Sequence, residues 1–226
     1  MGQRKRIAVL GLYNSGSTAV AGMLHALGVN MGPPFWGEFY EPCDLSWHLR
    51  RWWGEPLLTE GAAKIQRIKC LRKWVELQEC LGEAAVGAKH PLLSLCGPDL
   101  REAWGEETLF IWSYRSLEES TEGLKRRRWW PGQEENLQRQ IWQALHEFER
   151  SGARVSRIEW PRLKADPVRG ARELAARIEI EPTPEWIQAA VAIVNPSQRT
   201  YESENVVRRW LHSLLKSRER PGPGPS

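Results

Sequence analysis

A chain of 226 residues with 41% hydrophobic content is long enough to bury one substantial core, so a single main domain is expected. Its 32 basic and 28 acidic residues leave a net charge of +4. That modest excess, with no concentrated patch or reading motif, excludes a dedicated nucleic-acid protein and suits one that binds an anionic ligand. The four cysteines, Cys43, Cys70, Cys80 and Cys96, lack metal-ligand or C-x-x-C spacing, no apolar run approaches a membrane span, and Met1 to Lys5 is too short and polar to precede a signal sequence. A reduced, cytoplasmic protein with no membrane span and no metal is expected.

The first predicted element is a buried strand at residues 7–10. It delivers the chain to Gly11-Leu12-Tyr13-Asn14-Ser15-Gly16-Ser17-Thr18, after which residues 19–27 read as a helix. A glycine-rich turn between strand and helix aims its own N–H groups, and those of the helix's first turn, at one point where an anion sits. The spacing is that of the nucleotide-binding loop G-x-x-x-x-G-K-[ST], with Ser17 in the lysine position. Losing that lysine removes the cation that neutralises the terminal phosphates of a triphosphate, so an anion with less terminal charge is expected. A tight turn with no ligand is the plainer alternative.

Residues 33–56 follow, broken by Pro33, Pro34 and Pro42 and rich in tryptophan, with Trp36, Trp47, Trp52 and Trp53. Rigid aromatic area suits an apolar or ring-containing acceptor, while the spacing of Trp47, Trp52 and Trp53 also fits ordinary helical packing. A helix over 61–81, with an apolar stripe of Ile65, Ile68, Leu71, Val75 and Leu81, leads to a short strand at 85–88 and then Lys89-His90-Pro91. Adjacent residues of an extended chain face opposite sides, so Lys89 and His90 reach one centre only if the strand has ended. His90 is either a general base suited to neutral pH or a partly buried structural histidine.

After a short helix at 99–104, the almost wholly apolar run 109–114 is expected to form a buried parallel strand with Arg115 at its C-terminal end, the edge where open α/β sheets bind ligands. The planar fork of Arg suits a phosphate; a surface ion pair with Glu118 or Glu119 is the alternative. Ser120 and Thr121 come next, then Lys125, Arg126, Arg127 and Arg128, a run that fits either an anion site or a solvated helix face. Trp129 and Trp130 follow it, placed to cover a nucleotide or to close the helix. A helix over 133–151, a strand at 155–158, a turn through Asp166-Pro167 into a helix containing Leu174 and Ile178, and helices over 184–194 and 203–217 complete the pattern. Residues 218–226, dominated by Pro and Gly, are expected to be disordered. Strand, phosphate loop and alternating β/α units predict a three-layer α/β P-loop fold, a mostly parallel central sheet flanked by helices, in one domain over 1–217.

At Ser15-Gly16-Ser17-Thr18, Ala21 to Gly28, Lys89-His90-Pro91 and Arg115, the chain resembles the P-loop sulfotransferases. These move a sulfuryl group from 3'-phosphoadenosine 5'-phosphosulfate (PAPS) to a hydroxyl or amine, leaving 3'-phosphoadenosine 5'-phosphate (PAP). The resemblance spans roughly residues 6–180. It implies that Asn14, Ser15, Gly16, Ser17 and Thr18 hold the 5'-phosphosulfate and that Arg115, with a hydroxyl from Ser120 or Thr121, holds the 3'-phosphate. It also implies that Lys89 assists the leaving group, that His90 or Glu41 takes the acceptor's proton, and that no metal is required. Two positions depart from the family pattern. Asn14 stands where the family has Lys or Arg, which leaves Lys89 as the candidate to supply the missing charge, and Gly123 stands eight residues beyond Arg115, where the family has Ser. The acceptor is expected to be a small molecule or glycan, aromatic or apolar in part. Two other classes stay open: a non-catalytic nucleotide-binding protein, to which Asn14 and Gly123 point, and a P-loop kinase, which needs lysine at position 17 and acidic magnesium ligands at a neighbouring strand end.

Overall fold

The computed structural model describes residues 4–55, 58, 61–81 and 84–194. Four short strands, β1 (Lys5–Gly11), β2 (Ala85–Lys89), β3 (Leu109–Tyr114) and β4 (Val155–Glu159), form one sheet in the order β2-β1-β3-β4. All three pairings are parallel. Successive strand side chains point to opposite faces, and here both sets are apolar. Ala8, Leu10, Val86, Ala88, Phe110 and Trp112 enter one core; Ile7, Val9, Ala85, Ile111 and Ile158 enter a second. A sheet apolar on both faces needs a helical layer on each.

The first layer contains α2 (Cys43–Trp53), α3 (Lys64–Glu79), α4 (Gly97–Trp104), α5 (Leu117–Arg127) and α6 (Glu134–Arg150). The second contains α1 (Ser17–Ala26), α7 (Trp160–Ala165), α8 (Pro167–Arg177) and α9 (Pro184–Val194). The chain therefore has the three-layer α/β architecture expected, with a sheet that is parallel throughout the described residues. Within the predicted 61–81 helix, Ile68, Leu71 and Val75 are buried, but Ile65 lies exposed in the first turn of α3 and Leu81 lies exposed past its end. Asp166 starts α8 by accepting a hydrogen bond from the Arg169 N–H at 3.0 Å, with Pro167 in the first helical position where its missing donor costs nothing. No helix among the described residues is long and apolar enough to cross a membrane. The helix expected over 203–217 and the tail at 218–226 lie outside the described residues.

This topology decides where a ligand site forms. β1 sits between β2 and β3, its onward connection leading to one side of the sheet and that of β3 to the other. The crevice between β1 and β3, at their C-terminal ends, is the switch point of the sheet. Register places Val9 beside Lys89, Gly11 beside Ser113, and Tyr114 beside Glu159. The glycine-rich loop after β1, Lys89-His90, Arg115 and Trp160 thus emerge along a single edge.

Candidate active site

Residues 11–16 turn sharply from β1 into α1. Gly16 caps α1 in the left-handed region at φ 88°, a conformation that carries no steric penalty only for glycine, and α1 has no side-chain cap. The Ala19 N–H already donates to the Gly16 carbonyl at 2.9 Å, which leaves the Ser17 and Thr18 N–H groups, with the helix dipole, to favour an anion there. The indole of Trp160 packs so closely on Gly16 that a Cβ there would lie 2.3 Å from the ring. Three buried side chains from other elements hold the loop. Ser94 Oγ accepts from the Gly11 N–H at 3.0 Å and donates to the Gly11 carbonyl at 3.2 Å. Ser113 Oγ donates to the Ser15 carbonyl at 3.0 Å, and the Gln138 carboxamide pairs with both backbone groups of Tyr13, at 3.1 and 2.8 Å. Sequence reasoning missed all three. Their signal is a polar residue inside an apolar pattern: Ser94 within Pro91-Leu92-Leu93-Ser94-Leu95, Ser113 in β3, and fully buried Gln138 beside Leu137 and Ile141 on α6.

Glu41, Lys89 and His90 meet beside this loop. Lys89 Nζ lies 2.6 Å from Glu41 Oε1 and 3.2 Å from Thr18 Oγ1, while His90 Nε2 lies 3.7 Å from Glu41 Oε2; all three residues are buried. Lys89 and His90 serve one centre because β2 ends at Lys89, and His90 already caps the 3-10 turn Pro91–Cys96. The segment before α2 carries Glu41: its carbonyl accepts from the Trp36 N–H at 2.7 Å, and the rings of Phe35 and Tyr40 in the same segment pack on each other and on His25 of α1. Burial alone raises the Glu41 pKa, but the Lys89 ammonium, with His90 and Arg50, brings it below the usual carboxylate value. His90 is the reverse case, pushed down to about 4, chiefly by burial and further by Lys89 and Arg50 against the opposing pull of Glu41. Its Nδ1 accepts from the Leu92 N–H at 3.1 Å, which assigns the proton to Nε2. Nε2 is buried and has no partner among the described residues.

Across the crevice, Arg115 Nη1 donates to the Asn14 carbonyl at 3.2 Å, and Nε meets Glu119 at 3.4 Å. Arg115 thus pairs with Glu119 on α5 and is also tied to the glycine-rich loop. Asn14 is left-handed at φ 60°, with its side chain against Gly123 of α5. Ser15 Oγ, Ser120 Oγ and Thr121 Oγ1 are buried hydroxyl oxygens without partners among the described residues. Such atoms cost about 1–3 kcal/mol each unless something outside the chain satisfies them. Of the basic run, Lys125 pairs with Glu122 and the Arg127 guanidinium lies over the Trp129 ring at 5.2 Å.

A third feature had no sequence signal. The Tyr13 hydroxyl donates to Glu55, which also pairs with Arg50 at 3.3 Å, and Arg50 in turn lies over the Trp36 ring at 5.4 Å. Burial, and then the neighbouring Glu55 carboxylate, raise the Tyr13 pKa well above normal, and burial raises that of Glu55. Rings run from the surface to the buried ion pair. Phe39 meets Trp129 at 6.0 Å, Trp129 meets Trp130 at 5.8 Å, Trp130 meets Tyr13 at 4.9 Å, and Tyr13 meets His90 at 6.5 Å. Among the described residues, no group of three or more His, Cys, Asp or Glu is placed to hold a metal ion.

No family model matches the chain, and no curated protein matches it in sequence. Solved structures do match it. The sulfotransferase STF1 of Mycobacterium tuberculosis superposes with a TM-score of 0.58 at 15% identity, over 92% of this chain and 77% of that one. STF9 of Mycobacterium avium gives 0.55 at 13% identity, over 96% and 77%. The sulfotransferase domain of the Synechococcus olefin synthase gives 0.55 at 17% identity, over 100% and 91%. The likeness is one of fold, and the fold is that of sulfotransferases.

Proposed function

We propose that the chain is a sulfotransferase that uses PAPS and transfers sulfuryl to a hydroxyl or amine. The observation that carries this reading is the Glu41–Lys89–Thr18 chain, a buried carboxylate and ammonium set directly on the phosphate loop at the switch point of a sulfotransferase fold. The donor set fits a doubly phosphorylated nucleotide: the uncapped first turn of α1 and Ser15 for one phosphate, and Arg115 with Ser120 or Thr121 for the other. PAPS, when bound, supplies a sulfuryl group on a phosphate leaving group.

The chain's own residues then have distinct tasks. Glu41 Oε2, the oxygen not committed to Lys89, takes the acceptor's proton. We assign this task to Glu41 over His90, because the His90 Nδ1 lone pair already receives the Leu92 N–H and Nε2 holds the proton. His90 lines the site beside Glu41, with Nε2 3.7 Å from Oε2. Once Glu41 is neutral, the Lys89 ammonium loses its counter-ion, and its charge becomes available beside Thr18 in a buried site where charges act strongly. Proton uptake and electrophilic assistance are thereby one event. The aromatic run from Phe39 to Tyr13 guides a ring-bearing small molecule or glycan to Glu41. A cytoplasmic setting belongs to the same reading, supported by four thiols that are all unbridged.

A non-catalytic nucleotide binder is the second reading, favoured by Asn14, which brings no charge to the loop. Transfer of radiolabelled sulfuryl from PAPS to a panel of phenols, steroids and sugars, beside calorimetry with PAP and ATP, tests both. Magnesium-independent PAP binding with transfer is the expected result. PAP binding without transfer to any acceptor of the panel selects the binder, and preference for magnesium-ATP removes the PAPS reading and points to the kinase class.

A further inference from the structure

The two positions that depart from the sulfotransferase pattern are far apart in sequence and touch in space. A Cβ at Gly123 would lie 1.6 Å from Asn14 Nδ2 and 2.7 Å from Asn14 Cγ, a distance no pair of atoms tolerates. The backbone on the loop side of this contact is held in place. Asn14 is held left-handed at φ 60°, a conformation Asn accepts more readily than most residues, and its carbonyl is bound by Arg115. Gly123 lies one helical turn beyond Ser120, on the same face of α5, and Ser120 is fully buried with an unpartnered hydroxyl. The carboxamide therefore lies on α5 one turn from Ser120, filling the space that a side chain at position 123 would need.

We infer that Asn14 and Gly123 are one coupled element. The Asn14 carboxamide, supplied by the loop, is the neutral donor to the phosphate that Arg115 binds, and Gly123 is the space it requires. Position 14 thereby contributes to recognition of the second phosphate, while the reacting end depends on Lys89. This inference rests on the PAPS reading of the site and adds a residue-level account of how the nucleotide's two phosphates are told apart.

Calorimetry with PAP and AMP, paired with thermal unfolding, tests it in wild type, N14A, N14G, G123A, N14G/G123A and N14G/G123S. N14A and G123A are each expected to weaken PAP about tenfold, as for a lost hydrogen bond to a charged group, and AMP less than about twofold. N14G/G123S, which moves the donor back onto α5, should recover most of the PAP affinity lost in N14G. G123A should lower the melting temperature when Asn14 is present and have little effect in the N14G background. Equal weakening of PAP and AMP by N14A overturns the assignment, as does a G123A destabilisation of the same size in both backgrounds. If wild type binds neither nucleotide, the PAPS reading and the donor role both fall, and the melting data then report only on the steric coupling.

Discussion

His90 makes stability depend on pH in a way that follows from its position. The group is buried, faces Lys89 and Arg50 as well as Glu41, and titrates in the folded chain near 4 against an ordinary value of 6.5. The depressed histidine stays neutral while the unfolded chain takes up a proton, so the unfolded state binds more protons throughout this window. Stability therefore falls as pH drops from about 6.5 toward 4. For those two values the loss between pH 7 and pH 5 is about 2 kcal/mol from this residue. Glu41 is displaced downward as a carboxylate, and its contribution is lost in a separate, more acidic window as pH falls through its folded value. Denaturant unfolding at pH 7 and pH 5 measures the effect, with His90→Asn as the control. Asn can accept the Leu92 N–H as a cap and cannot titrate. The wild type should lose about 2 kcal/mol more than His90→Asn between the two pH values. Equal losses would refute the reasoning and place the histidine in contact with water.

The Glu41–Lys89 pair should be strongly coupled. Glu41→Gln or Lys89→Met alone leaves a buried charge unpaired and should destabilise by about 3–5 kcal/mol, whereas the double variant should be less destabilised than either, as read in an unfolding double-mutant cycle; additivity would argue that the pair is hydrated. Arg115→Ala should cost about 2–3 kcal/mol of PAP binding and little of AMP binding by calorimetry, and comparable losses would remove Arg115 from the second phosphate. Gln138→Ala strands two buried backbone groups of Tyr13. It should cost about 3 kcal/mol, a fall of roughly 6–12 °C in melting temperature for a domain of this size, and a fall below about 2 °C would mean that water replaces the amide.

The glycine loop, the apolar runs of β1 and β3 and the arginine after β3 were legible in the sequence because each depends on local physics. A turn that exposes N–H groups needs Gly16, and a strand buried on both faces cannot alternate polar and apolar residues. The α/β class followed from the same signals. The start of α8 at Asp166-Pro167 fell where the sequence put it, because Asp166 caps the helix, whereas α3, which has no side-chain cap, runs over Lys64–Glu79 within the expected 61–81. Convergence was not legible. Glu41 and the adjacent pair Lys89-His90 come from separate segments, and only strand register together with the packing of the segment before α2 brings them within contact. Glu55 has no pattern to mark it, since a single acidic residue after a helix is ordinary until folding sets it against Tyr13 and Arg50. Asn14 and Gly123 read separately as two defects. Their contact exists because parallel pairing of β1 and β3 carries loop and helix to the same crevice. Spacing along the chain determined which groups could bind an anion; the order of strands decided which of them meet, because contacts between distant segments are fixed by the packing of the whole sheet.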